Sequence, residues 1–172
     1  MLKMIGILLV LTGAAGIGAS MNRGFRQHYR QLMRLKELLL LIGNELRCLR
    51  MPLPQAIRRI AGRVEEPFRD TLLQMSEQLS DYEEADPEKV WRSILQKNRG
   101  KYLFNEEEFQ IFLDAGAVFG QENGYMQGEE VDLYVEQIGF RVVHTRSELE
   151  TKQRLCRYLC GAGGLFLILI LV

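Results

Sequence analysis

Each end of the chain contains a long run without a charged residue, and this feature limits its fold more than any other. Nineteen uncharged residues run from Met4 to Asn22, and fifteen run from Tyr158 to Val172. As helices that rise about 1.5 Å per residue, they would reach about 28 Å and about 22 Å, against a bilayer hydrocarbon core of about 30 Å. The first length predicts a membrane-crossing helix. The second leaves two alternatives open: a short crossing segment, or one that docks against the first segment or the interface.

Clustered cations flank both uncharged segments on the side of the central region. They are Arg23, Arg26, Arg30 and Arg34 after the first segment and Lys152, Arg154 and Arg157 before the second. Cationic flanks stay on the cytoplasmic side of a membrane, so both ends independently predict that the central region is cytosolic. The alternative for the first segment is a cleaved signal peptide, with Lys3 as its charged n-region and cleavage sites among the small residues from Gly13 to Ser20. We expect a transmembrane helix over 1–21, a cytosolic helical bundle over 22–157 and a short hydrophobic or transmembrane segment over 158–172.

Small residues recur four positions apart in both uncharged segments. The first segment contains Ala14 and Gly18, and the second contains Cys160 and Gly164. Small residues at this spacing allow two helices to approach closely in lipid. We therefore expect these two pairs to pack against each other, the alternative being that the glycines face lipid.

Periodic apolar residues predict helices throughout the central region. A stripe at helical spacing predicts a long first helix that continues out of the first segment, and it comprises Leu32, Leu35, Leu39, Ile42, Leu46 and Leu49. Pro52 and Pro54 end this helix, and a short second helix follows. A third helix is predicted from Glu66 to Tyr82.

Capping residues predict where the later helices begin. Asp86 followed by Pro87 is typical of a helix start. Asn105 with Glu108 forms a capping-box pattern that predicts a helix from Glu106 to Gly120. A last helix, which runs towards the second uncharged segment, carries a stripe of Val131, Val135, Ile138, Val142 and Leu149. No alternating pattern favours strands. The sequence predicts an all-α bundle of about six helices, with the first and last continuing into membrane segments.

The residues that could support catalysis are few. His28 and His144 are the only histidines, and neither has a Cys or acidic neighbour at metal-ligand spacing. The three cysteines form no disulfide-framework pattern, which agrees with a reducing compartment. We therefore predict no enzyme, metal or cofactor. The chain has 22 basic and 22 acidic residues, so it lacks the overall positive charge that usually accompanies nucleic-acid binding.

Four stretches of the sequence resemble the stage III sporulation protein AB family. They are MLKMIGILLVL at the start, RQLMRLKELLLLIGNEL followed by MPLPQAI, FLDAGAVFGQENGYMQ, and KQRLCRYLCGAGGLFLILILV at the end. The resemblance covers essentially the whole chain. It implies a membrane protein of the sporulation complex that connects mother cell and forespore and is required for endospore formation, with its body on the mother-cell side of the outer forespore membrane.

The family is in turn similar to the cytoplasmic domains of type II secretion F proteins, the platform of secretion machines. Here the matching motifs are Pro52-Leu53 followed by Ala56, and the GQENG turn that begins at Gly120. This similarity implies a platform that organises channel subunits and docks a cytosolic ATPase, and it leaves self-association open. The alternative is a membrane-anchored sensor or regulator that binds a ligand or a protein.

The platform-like motifs also suggest where partners bind. Exposed side chains at helix starts and turns carry recognition because a rigid scaffold holds them. We therefore expect partner contacts at Arg58 and Arg59, after the first motif, or at Gln121, Glu122 and Asn123 in the second. The alternative is that these residues are simply solvated.

Overall fold

The computed structural model describes the backbone of residues 2–47, 52–81, 86–120 and 124–171. Side chains are described for residues 23–47, 52–81, 86–119, 128–148, 151, 154 and 158. These residues form six α-helices and two 3-10 helices, and none of them forms a strand. The α-helices are α1 (Leu2–Arg47), α2 (Leu53–Ala61), α3 (Phe68–Asp81), α4 (Pro87–Lys97), α5 (Glu106–Asp114) and α6 (Gly124–Leu171). The predicted all-α fold with about six helices is confirmed.

The chain divides into two compact units. One comprises residues 30–142 and is called the body here, and the other comprises residues 1–29 with 143–172. In the second unit, the imidazole of His144 lies 3.3 Å from the carboxylate of Glu148 one turn later. Within the part of the chain that the structure describes, none of the helices has the length and apolar character needed to cross a membrane. The two membrane segments therefore stay predictions.

The predicted leucine stripe of α1 forms one side of the body's core. The members of the stripe that the structure describes are at most 3% exposed: Leu32, Leu35, Leu39, Ile42 and Leu46. Leu38 is buried beside them. Leu49 lies outside the described residues. In α6, Val131, Ile138 and Val142 are buried as predicted, whereas Val135 is half-exposed.

The predicted helix starts are confirmed by their hydrogen bonds. The Asp86 carboxylate accepts from the backbone N–H groups of Glu88 and Lys89 at 3.1 and 3.4 Å. At α5, Asn105 accepts from the Glu108 N–H at 2.8 Å, and the Glu108 carboxylate accepts from the Asn105 N–H at 2.9 Å. Each bond satisfies an N–H group that has no partner inside its helix.

One predicted helix is divided in the structure. The sequence predicts a single helix from Glu106 to Gly120, but α5 ends at Asp114 and residues Ala115–Gly120 form a 3-10 helix. A β-carbon built on Gly116 would lie 2.1 Å from Cδ1 of Trp91. The tighter turn thus passes directly over the indole ring, and this close approach requires a glycine.

Aromatic side chains fill the centre of the body between α3, α4 and α5. Phe112 meets Trp91 edge to face at a centroid distance of 5.2 Å and meets Phe68 at 5.8 Å. Tyr102 stacks on Phe104 at 5.6 Å. The polar atoms in this cluster are paired, because Trp91 Nε1 donates to the Phe112 carbonyl at 3.0 Å and the Tyr102 hydroxyl lies 2.5 Å from Thr71 Oγ1.

Burial of Tyr102 makes the stability of the body sensitive to alkaline pH. Removal from solvent raises the pKa of Tyr102 from 10.0 to about 12, and the Thr71 hydrogen bond opposes this only in part. The folded state therefore holds this proton after the unfolded chain has lost it. The associated stability is fully present below pH 10 and is lost as the pH rises towards 12.

A Tyr102→Phe variant isolates this effect. We expect it to unfold about 1 kcal/mol more easily at neutral pH, because Thr71 loses its hydrogen bond with the Tyr102 hydroxyl and keeps only the one that it donates to the Pro67 carbonyl. The difference in unfolding free energy between the two proteins should then narrow as the pH rises above 10, since phenylalanine does not ionise. Urea unfolding at a series of pH values measures this difference. A difference that stays constant with pH would contradict the raised pKa of Tyr102.

Candidate partner-docking site

Helix α2 presents two arginines on the side opposite its buried face. Ala56, Ile57 and Ile60 are at most 2% exposed, whereas Arg58 and Arg59 are exposed. The helix follows Pro52, whose carbonyl accepts from the backbone N–H groups of the first turn. The apolar residues at helical spacing thus fix which side of this short helix can reach a partner.

Contacts from two neighbouring helices hold α2 in place. Ser76 Oγ on α3 donates to the carbonyl of Pro54 at 2.9 Å, and α2 packs along α3. On the α1 side, a Glu45 carboxylate oxygen lies 3.7 Å from Nη1 of Arg59. The other lies 3.5 Å from Nη1 of Arg63. The side chain of Glu45 is only 16% exposed, so this carboxylate is fixed between the two guanidinium groups.

The structure distinguishes the two predicted arginines. Arg59 shares Glu45 with Arg63, whereas Arg58 makes no ion pair or side-chain hydrogen bond with a described residue. We call Arg58, Arg59 and Arg63 together with Glu45 the α2 basic surface. Its three positive charges and one negative charge leave an excess of two positive charges. Guanidinium groups bind carboxylates through paired hydrogen bonds, so this surface suits an acidic partner.

Sequence reasoning found part of this surface and missed the rest. Arg63 follows Arg59 by four residues, and this spacing could have placed it on the same side of the chain. Glu45 lies on a different helix, and nothing in the local sequence links it to Arg59. The other predicted contact residues, Gln121, Glu122 and Asn123, lie outside the described residues. The side chains of Ala14, Gly18, Cys160 and Gly164 also lie outside them.

A second charged cluster links α4 to α5. Arg92 donates through Nε to Glu88 at 3.1 Å and through Nη2 to Asp114 at 3.0 Å. Gln110 Nε2 also donates to Asp114, at 3.0 Å. The carboxylates of Glu88 and Asp114 raise the pKa of Arg92. Because these groups satisfy one another, the cluster stabilises the packing of two helices and offers no unpaired group to a ligand.

The described residues contain no arrangement with obvious chemistry. No three His, Cys, Asp or Glu side chains among them lie close enough to hold a metal ion. Every buried side-chain nitrogen or oxygen in the described part of the chain has a hydrogen-bond partner. The α2 basic surface is therefore the strongest candidate for function in this part of the chain.

The fold defines the class of protein: a small all-α protein, here with a basic, partly neutralised surface on α2. The chain belongs to the stage III sporulation protein AB family, whose sequence profile matches residues 3–172. This confirms the family predicted from the sequence motifs.

One sequence and one solved structure of the same family are similar to this chain. The chain is 21% identical over 172 residues to stage III sporulation protein AB of Bacillus subtilis (strain 168), and the alignment covers all of both chains. A solved structure of a stage III sporulation protein AB superposes with a TM-score of 0.66 at 18% identity. The superposition covers 72% of this chain and 97% of that chain. At this level of identity, the structural likeness shows the fold alone.

Proposed function

We propose that this protein is a membrane-anchored structural component of the sporulation channel complex between mother cell and forespore. In this role the body organises channel subunits and docks a cytosolic ATPase. Membership of the stage III sporulation protein AB family supports a role in sporulation. The observation that carries the finer proposal is Arg58, an exposed cation without a partner among the described residues on a helix that two neighbours hold rigidly.

The geometry of the α2 basic surface supports binding by contact. Arg59 is already oriented by the Glu45 carboxylate, so it loses less side-chain freedom when a partner approaches. Arg58 remains available to form a new ion pair. An acidic surface on the ATPase or on a channel subunit would complement the excess positive charge. The similarity of the Pro52–Ala56 segment to a platform motif adds the ATPase to this proposal.

The proposed location follows from the charges that flank the two uncharged segments. Cations on the inner side of each segment favour a cytoplasmic body, and the family resemblance implies that this cytoplasm belongs to the mother cell. The two ends would anchor it in the outer forespore membrane. Packing of Ala14 and Gly18 against Cys160 and Gly164 would hold the anchors together.

Reversing the charge of Arg58 tests the docking surface. We expect Arg58→Glu to reduce co-isolation of the ATPase or of channel subunits from sporulating cells by about tenfold, since loss of one interfacial ion pair costs about 1–2 kcal/mol or more. Quantitative mass spectrometry of the tagged chain, purified from membranes in mild detergent, measures this loss. Arg59 is left unchanged, because a glutamate there would also repel Glu45 within the fold.

Lys97→Glu is the matched control. Lys97 is also exposed, lacks a partner among the described residues and lies in the last turn of its helix, as Arg58 does. Both substitutions therefore carry the same penalty from the helix dipole, about 0.3–1 kcal/mol. If Arg58→Glu folds, reaches the membrane and retains every partner as Lys97→Glu does, the α2 basic surface is not the docking site.

A further inference from the structure

Within the body, α1 and α6 lie side by side and run in opposite directions. Arg47 Nη2 donates to the Gly128 carbonyl at 2.8 Å, and Arg47 also pairs with Asp132. A β-carbon built on Gly43 would lie 3.3 Å from Val131 Cγ1, and one built on Gly139 would lie 3.5 Å from Lys36 Nζ. As residue numbers fall along α1, they rise along α6, so the helices are antiparallel.

The outward side of this helix pair carries four large exposed apolar side chains. Met33 and Leu40 on α1 are 44% and 42% exposed, and Leu133 and Phe140 on α6 are 59% and 71% exposed. Each pair is separated by seven residues, or about two turns, so each lies on one line along its helix. Met33 and Leu40 lie three or four positions from Lys36 and Gly43, the positions that face α6. Leu133 and Phe140 point away from the buried positions Val131, Ile138 and Val142.

Acidic residues alternate with these apolar side chains. Glu37 lies between Met33 and Leu40, and Glu129 and Glu136 flank Leu133 at spacings of four and three. All three glutamates are exposed, and none forms a side-chain ion pair with a described residue. We call these seven residues the α1–α6 outer surface. The neighbouring Asp132 is neutralised by Arg47. Half-exposed Lys36 and exposed Arg30, which lies three residues before Met33, are cations at its edge.

Single exposed apolar residues are ordinary on protein surfaces, but this arrangement has a periodicity that a ligand can match. Apolar residues at seven-residue intervals on two adjacent helices match the spacing of the apolar stripe on an amphipathic helix. The three glutamates, which form no ion pair with a described residue, disfavour two kinds of occupant. The same surface of a second copy would bring like charges together, and an anionic lipid surface would be repelled.

We propose that the α1–α6 outer surface binds an amphipathic helix of a partner protein whose apolar stripe is flanked by Lys or Arg residues. The apolar stripe would cover Leu40, Leu133 and Phe140, and the cations would pair with Glu37, Glu129 and Glu136. Because this surface and the α2 basic surface have opposite charge, they select different partner segments. This inference does not depend on the role proposed for Arg58.

A photocross-linker at Gln137 tests the proposal on the full chain in non-ionic detergent. Gln137 is exposed and lies between Leu133 and Phe140 on α6. The probe is a synthetic helical peptide of about three heptads, with leucine at the a and d positions and lysine beside them. We expect it to cross-link at least about tenfold more efficiently from position 137 than from Glu77, an exposed position on α3. The yield should fall at high salt, because the flanking charges are exposed.

Substitutions separate specific docking from other outcomes. Leu133→Asp and Phe140→Asp should each lower the cross-linking yield about tenfold, whereas Leu103→Asp, at an exposed leucine outside the surface, should not. A peptide with glutamate in place of lysine should give little product. Equal yields from the acidic and basic peptides, or no effect of Leu133→Asp and Phe140→Asp, would overturn the proposal. Preferential cross-linking of the chain to itself from position 137 would overturn it in favour of a second copy.

Discussion

An aspartate in place of Ile42 is expected to unfold the helical body. Ile42 is 2% exposed and lies on the α1 stripe, with Leu38, Leu39 and Leu46 buried beside it on the same helix. A carboxylate buried among these leucines would lose its contact with water, so it must either stay charged at high cost or take up a proton. Either way the destabilisation should exceed about 4 kcal/mol, a large fraction of the stability of a typical domain.

Circular dichroism and thermal unfolding measure this effect, and Ile42→Val is the matched control. Valine removes one buried methyl group and should cost about 0.5–1.5 kcal/mol without changing the fold. A cooperative transition for Ile42→Asp within a few degrees of the parent protein would show that the α1 stripe does not form the core.

Alanine at Gly116 is expected to cause the second large loss of stability. The new methyl group would lie 2.1 Å from Cδ1 and 2.6 Å from Cγ of Trp91, far inside contact distance. The indole cannot easily move, because it donates to the Phe112 carbonyl and packs against Phe112 and Phe119 at 5.2 and 5.4 Å. We expect a cost of about 3 kcal/mol or more from this overpacking.

Urea unfolding measures this loss of stability, and the fluorescence of Trp91 reports it at the affected site. Trp91 is the single tryptophan of the chain. Gly100→Ala is the control, because a β-carbon there meets nothing within 4 Å. It should be neutral or stabilise the protein by about 0.4–1 kcal/mol. If Gly116→Ala is as stable as Gly100→Ala, the 3-10 helix does not pass as close to the indole of Trp91 as the structure shows.

Local patterns in the sequence predicted much of this fold. The α1 stripe, the Asp86 cap and the Asn105–Glu108 capping box depend on residues within a few positions of one another, and each is present as expected. The change from α5 to a 3-10 helix at Ala115 was not predictable in this way. It depends on Trp91, which precedes Gly116 by more than twenty residues and meets it only in the folded protein.

The candidate site was predictable to a smaller extent, for the same reason. A motif after Pro52 indicated Arg58 and Arg59 together, but only the fold shows that Glu45 on another helix pairs with one of them. The α1–α6 outer surface has a similar origin. Met33 and Leu40 alone are two exposed side chains, and they become part of a larger surface because Gly43 lets α6 pack beside α1.

We propose that the protein works as a structural platform within a membrane complex, by contact with other subunits. The most direct measurement is quantitative co-isolation of the tagged chain from membranes of sporulating cells, in mild detergent, with small metabolites removed or added back as a cytosolic extract. The platform predicts channel subunits and a cytosolic ATPase at the same fixed stoichiometry under both conditions. Absence of these partners, or their recovery only when metabolites are present, would contradict the platform and favour a membrane-anchored sensor.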